Sequence, residues 1–219
     1  MTLNDLIAAF RVDADDNAAP YLWSDDDLTR YANDAVMEAA RRARLLADSR
    51  TAEVCQAAIV AGDPYVALDP RVIFVRRAIV SGQSMPLNKT QERILDECIP
   101  SWESAASSIP SHYIHQRGEI RLYPPSSVDG TLQMTVIREP LIAMADLGDE
   151  PEIPARHHES LIQWMLYRAF SKQDSDAGAN DRAALALAAF EADFGRRSSA
   201  IEEEWQRQHY GIDGYEGVF

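Results

Sequence analysis

The chain has 219 residues, enough for one sizeable domain or two small ones, and a core that needs neither metal nor disulfide. Apolar residues at 46% and charged residues at 26%, with 10 Gly and 11 Pro, exclude a disordered or collagen-like chain. Against 35 Asp and Glu stand 21 Lys and Arg, and the net charge of −14 excludes the basic stripe of a general nucleic-acid binder.

Met1-Thr2-Leu3-Asn4-Asp5 lacks the basic and apolar regions of a signal peptide, and the densest apolar run, Leu161 to Phe170, is too short to span a bilayer. Cys55 and Cys98 are the only cysteines and form no CxxC. The expectation is a soluble, cytosol-made protein with two small, buried, reduced thiols and no membrane partner.

Leu3, Leu6, Ile7 and Phe10 recur at helical spacing, and Thr2 with Asp5 suits a capping box. A polar loop, Asp13 to Pro20, follows. Ser24 before Asp25, Asp26 and Asp27 predicts the start of a second helix, whose end carries Arg41, Arg42 and Arg44, in agreement with the helix dipole. From about Thr51 to Pro140 the texture turns to short β-branched runs between turn signals. Strands are expected at Val54–Val60, Tyr65–Leu68, Val72–Val80, His112–Gln116, Glu119–Tyr123 and Thr131–Arg138, with a hairpin turn at Arg117-Gly118. One helix, from Thr90 to Pro100, interrupts them.

After an acidic connection, Leu141 to Ile153, helical signals return at Pro154. The helix over Leu161–Phe170 is apolar on nearly every side, so it is either central or covered by another subunit. A loop, Ser171 to Asn180, precedes one long helix carrying Leu187, Phe190, Phe194, Ile201 and Trp205, loosened at Gly195. The fold class is therefore α+β, a helical bundle over 1–50 and 141–210 with a small antiparallel β module inserted at 51–140 and a tail at 211–219. The stretch from about Arg196 to Phe219, with its glycines and isolated aromatics, is expected to order only on a partner.

Little in the residues carries catalytic chemistry. His157 and His158 are adjacent, so on a helix they point about 100° apart and cannot chelate one ion; surface or interface histidines are expected. Asp13, Asp15 and Asn17 imitate a calcium loop, but Ala18 and Ser24 stand where glycine and glutamate belong, and Asp174-x-Asp176 adds no more. No GxSxG, Walker loop or GxGxxG is present. No cofactor or metal follows. An enzyme would need a scattered site, such as His112, His115 and a carboxylate, and a helix-turn-helix regulator would use Arg41, Arg42 and Arg44. A third alternative is an acidic interaction domain of another assembly.

Several segments together resemble one family. Trp23-Ser24-Asp25, Leu28, Arg30-Tyr31 and Asn33 resemble the opening helix of phage head–tail adaptor proteins, the connectors related to tail tubular protein A. Leu68-Asp69-Pro70-Arg71-Val72-Ile73 and Ile120-Arg121-Leu122-Tyr123-Pro124, then Gly130-Thr131-Leu132, are similar to their β segments. Glu152-Ile153-Pro154, His158, Leu161 and Trp164 to Asp174, with Asp176, continuing into Phe190-Glu191 and Phe194-Gly195, complete the likeness.

The resemblance implies a structural virion protein at the head–tail junction. Its partners are a portal protein, a tail or nozzle protein and further copies in a ring, typically dodecameric, with DNA as non-specific cargo. On that reading the candidate interface comprises Trp164, Tyr167 and Arg168, with Trp205, Tyr210, Tyr215 and Phe219 towards the chain end.

Overall fold

The structure, a computed structural model, describes residues 1–172 and 177–209. In chain order its elements are α1 (Leu3–Asp13), α2 (Asp25–Ala43), β1 (Ala47–Asp48), α3 (Ala52–Cys55), β2 (Gln56–Ile59), β3 (Tyr65–Ala67) and β4 (Val72–Val80). Then come β5 (Asn88–Lys89), α4 (Glu92–Cys98), β6 (His112–Gln116), β7 (Glu119–Tyr123), β8 (Gly130–Arg138), α5 (Leu161–Phe170), α6 (Ala177–Phe194) and α7 (Ala200–His209). The fold is α+β, with the helical and β parts forming two compact units. One is Met1–Leu46 with Glu139–Arg197, the other Ala47–Arg138 with the segment from Ser198.

In the helical unit, both caps form as the side chains dictate. Thr2 Oγ1 accepts from the Asp5 amide at 3.2 Å while Asp5 accepts from the Thr2 amide at 2.8 Å. Ser24 Oγ accepts from the Asp27 amide at 3.1 Å, and Arg44, in the left-handed region, closes α2. The buried stripe of α2 is rich in Ala32, Ala35, Ala39 and Ala40, small enough for close packing against α5. The apolar surplus of α5 is met inside this unit: α1, α2 and α6 pack around it, so it is central.

The expected single long helix is two. Gly195 sits at φ +82°, its N–H donating to the Glu191 carbonyl at 2.9 Å, a conformation that ends α6 outright. Ser199 then opens α7 with its own capping box, donating its amide to Glu202 and accepting from the Glu202 amide. The signal Ser199-x-x-Glu202 was present in the sequence. α7 groups with the β unit, whereas the sequence-based boundaries set it in the bundle, and Ala200–His209 is helical within a stretch expected to order only on a partner.

In the β unit, β8 is the spine of the first sheet. It pairs with β4 along one edge, and with β1 and β2 along the other. Register shifts between Val72 and Phe74 and between Val75 and Arg77 kink β4, which blunts an otherwise long free edge. The second sheet has the order β3-β7-β6-β5, with β5 parallel to β6 and Gly118 at φ +78° in the β6–β7 turn. Leu95, Trp102 and Ile114 form a small separate core beneath α4.

Two local expectations need correcting. Residues 52–55 form a helical turn rather than strand, because Asp48 accepts from the Arg50 and Thr51 amides and the Thr51 hydroxyl and curls the chain there. Only Cys55 is buried; Cys98, at the end of α4, is exposed.

Candidate interaction surfaces

The most distinctive sequence segment, Trp23-Ser24-Asp25, is an architectural joint. Trp23 is buried, with its ring edge-on to Phe10 of α1 at 5.4 Å and to Phe170 of α5 at 5.7 Å. Ser24 caps α2, and Asp25 pairs with the Arg11 guanidinium at 2.6 Å. Arg11 also binds Asp16 at 2.7 Å and donates to the Trp23 carbonyl, so one buried cation ties α1, its loop and α2. Nothing in the helical pattern marks Arg11; its partners lie five to fourteen residues on, across the loop and the start of α2.

Other matched residues brace loops in the same way. The Asn33 amide clasps Met144, donating to its carbonyl at 2.9 Å and accepting from its N–H at 2.8 Å. Asp69 accepts from Nε and Nη2 of Arg71 at 2.8 Å each, along one edge of the guanidinium, and the pairing holds the Asp69 carboxyl below its ordinary value. His158 is buried, not exposed as expected. Its Nε2 lies 2.9 Å from the Ile153 carbonyl and its Nδ1 3.0 Å from the Met1 nitrogen. A 3₁₀ turn at Ala155–His157, rather than a continuous helix, turns it inward while His157 lies against Phe194.

The predicted interface residues fall in different places. Trp164 is 6% exposed, packed on Phe190 and Tyr167 beneath the Arg42 guanidinium, and its indole N–H lacks a partner among the described residues. Tyr167 is half-buried beside it. Arg168 reaches the surface and pairs with Asp34 at 2.9 Å. On α7, Trp205 is 61% exposed and stacks on His209 at 4.2 Å. Tyr210, Tyr215 and Phe219, like Asp174 and Asp176, lie outside the described residues.

Several residues of the chemical alternatives are committed elsewhere. Arg42, from the basic trio, has its side chain in the core, paired with Glu38 at 2.9 Å and Glu191 at 3.8 Å, and Arg41 pairs with Glu139. Asp16 in the calcium-like loop is committed to Arg11 and the Leu22 amide. His112 binds the Ser111 hydroxyl, and His115, on β6, is buried. Among the described residues no group of three or more His, Cys, Asp or Glu could hold a metal, and no helix is long and apolar enough to cross a membrane.

The surface features left over are apolar and acidic. Val12, Leu22, Ile142 and Leu185 are exposed on the helical unit, and Met85, Ile109, Ile201 and Trp205 on the β unit. A shallow groove of about 410 Å³ runs between Arg117 and the Ile201, Glu204 and Trp205 side of α7.

No curated protein matches the chain. The SU10 adaptor protein family matches residues 1–211, nearly the whole chain. This is a family of phage head–tail adaptors, structural proteins of the virion that interact with other virion components and not an enzyme class. A match of that extent covers every bracing residue described above, and the chain belongs to the SU10 adaptor protein family.

Proposed function

We propose that this chain is the adaptor joining the portal to the tail, assembled as a ring of about twelve copies through which DNA passes. The family match over residues 1–211 carries the reading. The charge supports it: a net −14 repels phosphates, so DNA can slide past without counterion release holding it. A ring requires a heterologous interface with fixed rotation, and the scattered exposed apolar residues of both units offer different surfaces for its two sides.

Of the candidate interface residues, Arg168 and Trp205 are the accessible ones, with Tyr210, Tyr215 and Phe219 following in the chain. Trp164 acts on this reading from within, by holding α5 against α6. No catalytic group, cofactor or metal enters the function. Co-sedimentation with the cognate portal protein tests the docking half. Deleting Gly211 to Phe219, or making Trp205→Ala, should abolish co-sedimentation and leave the thermal unfolding of the chain unchanged. Normal docking by both variants would remove the C-terminal segment from the interface.

A further inference from the structure

The last helix is held to its sheet largely by polar groups. No residue of α7 is buried, and its largest apolar side chains, Ile201 and Trp205, are 83% and 61% exposed. Its ties include Lys89 of β5, whose Nζ donates to the Arg207 carbonyl at 2.7 Å. That carbonyl lies in the last turn, where intrahelical donors run out. Residues 195–199, which lead into α7, contain no secondary structure and start at Gly195 in the left-handed region.

Beside the Lys89 tie lies His115 of β6, 1% exposed, with Nδ1 lacking any partner among the described residues. A cleft of about 370 Å³ opens at the same end of α7, lined by Thr90, Ile114, His115, Gln208 and His209. Well-packed interiors leave neither such voids nor unpaired polar atoms. The charged groups around the imidazole are Lys89 from β5, Glu92 and Arg93 from α4, and Arg207 and His209 from α7, with Glu204 paired to Arg207. Lys89 and Arg207 both oppose a second positive charge there.

We propose that α7 is a pH-releasable strap, lying on β6 over a neutral His115 and released when that imidazole takes a proton. Burial first, then Lys89 and Arg207, hold the His115 pKa down to about 3 while α7 is docked. With α7 away the ring meets water and returns towards its ordinary value of about 6.5. The undocked state therefore binds the proton more readily. Docking is at full strength above about pH 6.5 and weakens about tenfold per pH unit as pH falls towards 3. Lys89, depressed by its burial to about 8, is charged throughout that window and adds no slope. The proposal stands on this helix and sheet alone and does not depend on the adaptor reading.

Amide hydrogen exchange on the full chain tests it, read as protection factors so that the pH dependence of intrinsic exchange cancels. Between about pH 7 and pH 5 the opening constant of α7 amides should rise about 25-fold, while β8 amides keep their protection. In His115→Phe the α7 protection should be independent of pH. Loss of protection in α7 and β8 in step, or the same pH dependence in His115→Phe, would overturn the proposal. If that variant does not fold, the wild-type ring decides: His115 resonances should show a neutral imidazole at about pH 5 wherever α7 is docked. Titration near pH 6.5 with α7 still protected would overturn it.

Discussion

Arg11 shows how much one side chain holds in this fold. Its guanidinium is nearly sealed, and Asp16, its partner at 2.7 Å, is equally buried, while Asp25 is largely in water. Removing the cation leaves the Asp16 carboxylate desolvated and uncompensated. Arg11→Met should therefore cost about 3 kcal/mol in urea denaturation, most of it through Asp16. A loss under about 0.5 kcal/mol would mean the pair contributes nothing. Asp48 offers a second test in the β unit. It accepts from Arg138 at 2.8 Å and from the Arg50 and Thr51 amides, and these bonds outweigh its burial and hold its carboxyl far below the ordinary range. Its contribution is present above about pH 4 and is lost as pH falls further. Asp48→Asn should be about 2 kcal/mol less stable at neutral pH, with the gap to wild type closing towards about pH 2. A gap unchanged by acid would assign the loss to shape rather than charge. The same carboxylate sits 3.6 Å from the Cys55 sulfur, and burial together with that charge pushes the thiol up to about 11.

At the scale of elements, whatever depended on neighbours in sequence was legible. Both N-caps, the β4, β6, β7 and β8 spans and the hairpin at Arg117-Gly118 follow from side chains within a few residues of each other. The two-residue strands β1 and β5 were not legible, because they exist only through their partners β8 and β6. Nor was the inward turn of His158, which answers to Met1 and the Ile153 carbonyl. Of the candidate interface residues, Trp164 and Trp205 look alike in periodicity yet one is core and one is surface. Trp205 lies on a separate helix because α6 ends at Gly195. A Cβ there meets open space, so the cost of Gly195→Ala is backbone alone, about 1–2 kcal/mol. The variant should lower stability by that amount and reduce protection around residues 192–199. Unchanged stability would show that the break between α6 and α7 does not need the left-handed conformation.

For the whole molecule, the residues that carry the family likeness are braces, not reagents. Trp23, Ser24, Asn33, Asp69 and Arg71 each fix a loop or a helix end. Residues of this kind hold a shape, and a shape is what a structural adaptor presents to its neighbours. On the proposed reading, the net charge of −14 lets DNA pass without sticking. Raising salt should leave passage of duplex DNA through an assembled ring nearly unchanged, since no phosphate-bound counterions are released to make it salt-sensitive. A steep salt dependence in DNA binding by the isolated ring would contradict that role.

The central claim is that this chain adds stoichiometrically to a portal ring. Mass photometry of the cognate portal protein with and without the chain measures that directly. The account predicts a mass increase of one copy per portal subunit, and no increase with an unrelated ring of similar size. No complex at any salt or protein concentration tried, or equal binding to both rings, would contradict it.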